Sequence, residues 1–302
     1  MPFRFYFFLL FFSFLFLFYP GENPYIKIFA YNPSTFIQET PLQPIQIKPI
    51  PVINNTAPPF VTAEGVYVVE LDSFSTLYEK NSHTKFFPAS TTKIITALVS
   101  VDLYQPDRVI TINQASVEGQ IMNLVPHERI TAENLLYGIL VHSGNDAAYA
   151  LANEHGFDDF ITLMNTKAQE IGMKDSHFKN PAGLDDFEQM TTPFDLALAG
   201  RELLQNPYLR KMVSTKEIII SDVDYRQFHT LSNVNKLLGE IQGLGGLKTG
   251  YTELAGENLV SFYRKDNHDY IIVILKSQDR FLDTRTIVNW INTHVQYVTP
   301  SL

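Results

Sequence analysis

None of the 302 residues is a cysteine. Disulfides, thiolate catalysis and lipid attachment at an N-terminal cysteine are therefore excluded. Positive charge is also scarce: 23 Lys and Arg face 32 Asp and Glu, a net charge of −9 with a pI near 5.4. That balance argues against nucleic acid or an anionic membrane surface as a partner. The eight histidines are scattered and form no HExxH or comparable close ligand pair, so neither a metal site nor a cofactor is expected. His142, beside Ser143, reads as a packed or solvated helix-end histidine. No internal repeat is present.

Long apolar runs are missing as well, apart from one. Phe5 to Tyr19 is uncharged and almost entirely Phe and Leu, preceded by Arg4 and stopped by Pro20-Gly21. As a helix this run reaches about 22 Å, short of a hydrocarbon core of roughly 30 Å. Its length suits the apolar region of a secretory signal, yet Tyr19-Pro20-Gly21 offers no small-x-small cleavage site. Residues 1–19 are expected to be an N-terminal membrane anchor or a signal segment. Either one exports the rest of the chain.

Residues 20–60 hold nine prolines and no sustained helical period. They read as a semi-rigid proline-rich tether, and 61–302 as the folded catalytic domain. Gly65–Leu71 and Thr76–Glu79 read as a hairpin. Helices are expected from Ser90, over 132–141, 145–154, 158–171 and 193–205, the last capped by Thr192 with Pro193 in its first turn. Strands follow at 217–221, 259–263 and 270–275, with 265–268 as a turn, and a last helix is expected over 286–298. Strands at both ends around a helical middle indicate an α+β fold: a sheet covered by helices, with a helical lobe.

Three short motifs stand in order along this frame: Ser90-Thr91-Thr92-Lys93, Ser143-Gly144-Asn145 and Lys248-Thr249-Gly250. SxxK and SxN each occur about once by chance in a chain of this length, and KTG about once in ten such chains. Their joint order is far more specific than any one of them. Ser90 and Lys93 share a helical face, so hydroxyl and amine can meet. A serine hydroxyl needs a base, and lysine serves only when burial and a second cation lower its pKa. Lys248 can be that cation. Amides at the helix start can face a developing oxyanion. In the predicted break at 143–145, a hydroxyl can relay a proton, and a carboxamide can contact both Lys93 and a substrate carbonyl. Gly250 lets a strand approach an extended peptide, with Lys248 and Thr249 toward its carboxylate.

From about Val66 to Trp290 the chain resembles the low-molecular-mass penicillin-binding proteins, the serine D-alanyl-D-alanine carboxypeptidases. The likeness lies in Phe-Pro-Ala-Ser-Thr-Thr-Lys (87–93), His-Ser-Gly-Asn-Asp-Ala-Ala (142–148) and Asn-Pro-Ala-Gly-Leu-Asp (180–185). It continues in Gly-Leu-Lys-Thr-Gly-Tyr-Thr (246–252) and Ala-Gly-Glu-Asn-Leu-Val (255–260). The resemblance implies a β-lactamase/transpeptidase-like fold, an antiparallel sheet flanked by helices. It implies Ser90 as the acyl-enzyme nucleophile, Lys93 as proton acceptor, and Ser143 and Asn145 as the second motif. Lys248, Thr249 and Gly250 would line the substrate, with the amides of Ser90 and Tyr251 as oxyanion hole and Arg285 near the substrate carboxylate. The implied partners are peptidoglycan stem peptides, with β-lactams as covalent inhibitors. The implied location is the outer face of the bacterial cytoplasmic membrane, or the periplasm or medium if the leader is cleaved.

Two departures from the family pattern stand out. Many members add a C-terminal β domain and an amphipathic anchoring helix; neither is read here before Leu302, so the N-terminal run is the expected anchor. Some carry an arginine where this chain reads Asn233-Val234-Asn235. Alternative activities are a D,D-endopeptidase with the same catalytic set, a class A-like β-lactamase and an inactive wall-binding homologue. The Ser-Gly-Asn motif and the lack of a glutamate in 180–187 count against the β-lactamase.

Overall fold

The computed structural model describes residues 3–17, 48–54, 57–113 and 117–300. Two units separate, 1–48 and 49–302. In the first, helix α1 (Phe3–Leu17) realises the apolar run. Among the described residues, no helix is long and apolar enough to cross a membrane. The expected tether lies outside the described residues from 20 to 47.

The second unit begins earlier than the expected boundary at 61. Strand β1 (Ile50–Ile53) pairs antiparallel with the last strand, Val295–Val298, in a two-stranded ribbon. Pro51 sits opposite Tyr297, a place where its missing N–H is tolerated because the ribbon has free edges. Trp290 then donates its indole N–H to the Ala57 carbonyl at 3.0 Å. Residues 50–54 and Ala57 are therefore tied to the folded unit. A protein starting at Val61 loses the ribbon and leaves the indole unpaired, a loss of about 2–3 kcal/mol. It is expected to melt roughly 5–10 °C below a protein starting at Pro49. Equal melting temperatures in a thermal scan would show that the ribbon contributes nothing.

After the hairpin β2 (Gly65–Glu70) and β3 (Thr76–Lys80) come a 3-10 turn (Ala89–Thr92) and helix α2 (Lys93–Leu103). A small hairpin, β4 (Val109–Thr111) with β5 (Arg129–Thr131), leads into α3 (Ala132–Tyr137), α4 (Asn145–His155) and α5 (Phe157–Glu170). Helices α6 (Pro193–Gln205) and α7 (Pro207–Val213) precede the hairpin β6 (Glu217–Ser221) and β7 (Phe228–Ser232). The chain closes with β8 (Leu244–Thr252), β9 (Gly256–Lys265), β10 (His268–Ser277), α8 (Arg280–His294) and β11 (Val295–Val298). The Thr192 cap is present, its hydroxyl accepting from the Asp195 amide at 3.1 Å.

One antiparallel sheet, ordered β3-β2-β10-β9-β8, organises the unit. Its alternating side chains feed two cores. Tyr67, Val69, Val260, Ile271 and Val273 pack with the helices α2 to α7, while Val66, Val68, Leu259, Ile272 and Ile274 pack with Ile287 and Ile291 of α8. Both faces are buried, so β2 and β10 read as nearly unbroken apolar runs rather than as alternation. This is the expected α+β architecture, with β8 left as an edge.

Two helices differ from expectation. The one expected over 132–141 is α-helical only to Tyr137 and then makes a π turn, Gly138–His142. The one expected over 286–298 runs from Arg280 to His294 because Asp279 caps it, accepting from the Phe281 and Leu282 amides at 3.0 and 2.9 Å. The β-branched Val295 and Val298 then continue as strand.

Candidate active site

Ala89, the residue before the nucleophile candidate, holds a left-handed φ of 48°. Such a conformation costs about 1–3 kcal/mol for a residue with a Cβ. The segment 180–184 holds it in place: a Cβ on Gly183 would meet Ala89 O at 1.8 Å, so only glycine fits there. Asn180 in turn shapes that segment, its Oδ1 accepting from the amides of Ala182, Gly183 and Leu184. From the other side Asn258, on β9, donates to the carbonyls of Phe87 and Pro88. Ser90 thus falls on a clamped 3-10 turn and Lys93 follows directly as the first residue of α2, a spacing of i and i+3 that brings the two side chains over one another. Ser90 Oγ lies 2.8 Å from Lys93 Nζ.

The π turn delivers the second motif. It ends at Ser143, which is buried and itself left-handed with φ 64°. Asn145 opens α4 and turns its Oδ1 to Lys93 Nζ at 2.7 Å, while its Nδ2 donates to the Glu118 carbonyl at 2.5 Å. The second contact fixes which end of the amide faces the lysine. A third acceptor, the Ala182 carbonyl, lies 2.7 Å from Nζ.

These partners define what the lysine can do. Asn145 Oδ1 and Ala182 O have no hydrogen to give, so they accept the two hydrogens of a neutral amine. The lone pair is then left for the Ser90 hydroxyl. Lys93 is fully buried, and that burial drives its pKa well below the ordinary lysine value; the charge of Lys248 lowers it further, with Asp146 opposing. The surroundings that a lysine base would need are therefore present, burial and the nearby charge of Lys248 among them.

Strand β8 carries Lys248, Thr249 and Gly250 past the same turn. A register shift between Gly246 and Lys248 re-aims the strand just before the motif. A Cβ on Gly250 would sit 3.1 Å from the Ser90 amide nitrogen, so the strand and the nucleophile turn are in near contact. Tyr251, one residue on, is 62% exposed. Lys248 is buried and has its pKa lowered to about 7, first by that burial and then by the charge of Arg280.

Arg280 is the residue that the motif reading missed. Its guanidinium donates to the Gly250 carbonyl at 2.8 Å. Arg285, expected near the substrate carboxylate, instead pairs with Glu240 at 2.5 Å on the solvent side of α8. A spacing of five positions puts them on different faces of the helix, and the Asp279 cap was the available signal that the helix starts early enough to bring Arg280 to β8. The structure thus brings together Ser90, Lys93, Asn145 and Gly250, with Lys248 close enough to act on Lys93, and leaves Arg285 outside.

A serine whose hydroxyl meets a buried lysine amine, beside the free edge of a sheet, defines a site of the serine–lysine acyl-transfer type. A family model described as D-alanyl-D-alanine carboxypeptidase matches residues 53–279, and the chain belongs to that family. It is 34% identical over 221 residues, 70% of its length, to the D-alanyl-D-alanine carboxypeptidase DacF of Bacillus subtilis. It is 29% identical over 253 residues, 77% of its length, to DacD of Escherichia coli. The aligned parts span 57% and 64% of those two relatives. The crystal structure of the Streptomyces K15 DD-transpeptidase superposes with a TM-score of 0.74 at 30% identity, covering 78% of this chain and 98% of that one.

Proposed function

We propose that this protein is a serine D-alanyl-D-alanine carboxypeptidase that trims the terminal D-Ala from peptidoglycan stem peptides. The observation that carries this reading is the hydrogen-bond set of Lys93, which in the neutral amine occupies both hydrogens and turns the lone pair to Ser90. An extended peptide adds to the free edge of β8. Ser90 Oγ attacks the carbonyl of the penultimate D-Ala as its proton passes to Lys93. The amides of Ser90 and Tyr251 stabilise the oxyanion. The C–N bond breaks, Ser143 relays the proton to the departing D-Ala amine, and water hydrolyses the ester with Lys93 again taking a proton. A β-lactam would acylate the same serine.

Specificity for a free C-terminus is assigned to Lys248, Thr249 and Arg280, the last in place of Arg285. The alternative β-lactamase reading would need a carboxylate free to activate water in 180–187. Asp185 there is engaged by the Thr252 hydroxyl at 2.7 Å. The protein is expected to act outside the cytoplasm, delivered or held by its N-terminal segment. The test of substrate class compares a peptide ending in D-Ala-D-Ala with its C-terminal amide. Lost charge-assisted hydrogen bonds cost about 1.5–3 kcal/mol, so the acid should turn over roughly ten- to hundredfold faster. Equal rates would move the preference to internal bonds.

A further inference from the structure

A buried histidine–glutamate pair lies behind the second motif, and the acyl-transfer steps do not use it. His229, on the inner face of the β6–β7 hairpin, is 6% exposed, and the Glu128 side chain beside it is fully buried. His229 Nε2 lies 2.6 Å from Glu128 Oε1, and Nδ1 lies 2.9 Å from the carbonyl of Met122. A carbonyl only accepts, so Nδ1 carries a hydrogen and donates it to Met122. One further proton is shared between Nε2 and the carboxyl group. The pKa of His229 is raised, chiefly by the bond to Glu128. The second Glu128 oxygen accepts from the Val125 amide at 3.0 Å. The neighbours on this hairpin face, Ile220 and Leu231, are apolar, so packing alone would be served by another aliphatic residue. A buried polar pair is costly where it does nothing else.

What it grips is the segment that holds the catalytic asparagine. The Met122 and Leu124 amides donate to the Asp146 carboxylate, both at 3.0 Å. The Gln120 carbonyl accepts from the Asn145 amide at 2.7 Å, and the Glu118 carbonyl accepts from its side chain. A Cβ on Gly119 would come within 2.8 Å of Asn145 Nδ2, so the segment is pressed against the carboxamide. A chain of contacts thus joins His229 to Lys93, from Met122 along the 118–124 segment to Asn145, whose Oδ1 meets Nζ. We propose that His229, braced by Glu128, is a positioning residue that fixes Met122 and thereby keeps the Asn145 carboxamide aligned on Lys93. The inference rests on the assignment of Ser90, Lys93 and Asn145 above.

The test follows acylation by a fluorescent penicillin in the full-length protein, with melting temperatures in parallel. Labelling of the wild type and its loss in Ser90→Ala check the underlying assignment; an unlabelled wild type would overturn that assignment, not the role of His229. Three conservative variants then isolate the pair. In Glu128→Gln, the amide can accept from Val125 and donate to Nε2, so acylation should stay within about threefold. In His229→Asn, the amide stands near the Nδ1 position and keeps the bond to Met122; acylation should also stay within about threefold. In His229→Gln, the amide reaches Glu128 and the Met122 bond is lost. The acylation rate constant at saturating penicillin should fall about tenfold or more, with the affinity of the non-covalent complex unchanged. A wild-type rate in His229→Gln, or an equal loss in all three variants that tracks their melting temperatures, would overturn the proposal. If His229→Gln does not accumulate folded, a tenfold loss in folded His229→Asn overturns it, and retention of activity there supports it.

Discussion

A Ser90→Ala protein is expected to release D-Ala from a D-Ala-D-Ala peptide at least about 10⁴-fold more slowly than wild type, the scale seen when a nucleophile is removed from a covalent mechanism. The reason is local. Ser90 is the hydroxyl that Lys93 contacts, and the turn that holds it is fixed by Asn180, Gly183 and Asn258 whatever side chain stands at 90. Removing one oxygen should therefore leave the fold and the melting temperature nearly unchanged. Release from a peptide of defined sequence, followed by amino-acid analysis, reads the rate directly. Residual turnover within tenfold of wild type would place the nucleophile elsewhere.

Lys93→Arg is the second large effect, an expected loss of acylation of about a hundredfold or more. Arginine keeps the positive charge but does not give up its proton near neutral pH, and the proposed acylation step needs an uncharged base. The wild-type acylation rate should rise with pH as Lys93 loses its proton. Burial and the Lys248 charge lower that pKa, so the rise belongs well below the ordinary lysine range. Lys248→Gln removes the cation that favours the neutral amine, so the pKa of Lys93 rises and the acid limb of the pH–rate profile moves to higher pH. Stopped-flow acylation across pH measures both variants. Near-wild-type acylation in Lys93→Arg, or an acid limb unmoved in Lys248→Gln, would assign the proton to another group.

Much of this site was legible from short spacings. Ser90 and Lys93 three apart, the break at 143–145 and the glycine of Lys248-Thr249-Gly250 each named a local geometry that the folded chain contains. The Thr192 cap and the turn between β9 and β10 were legible for the same reason, since capping and turn chemistry act over a few residues. What was missed depends on partners far away in sequence. Apolar spacing over 132–141 does not distinguish an α turn from a π turn, yet the π turn is what brings the chain to Ser143. Ile50–Ile53 looked like tether because its pairing partner lies some 240 residues on, and proline density hid a strand whose edges tolerate it. Arg285 came from the family resemblance alone, and a helix expected to start only at 286 gave no reason to consider Arg280. Once Asp279 caps the helix, the geometry reverses the choice. The clamp on Asn145 was invisible for a further reason: His229, in β7, and Glu128, just before β5, lie 101 residues apart in segments that carry no motif.

A covalent acyl bond at Ser90 is the step on which every other proposed role depends. Intact-mass measurement after incubation with benzylpenicillin, followed by peptide mapping of the labelled protein, tests it most directly. One penicilloyl adduct should appear, on the peptide containing Ser90, and none should form in Ser90→Ala. An adduct on another serine, or an unlabelled wild-type protein that still releases D-Ala, would contradict the account.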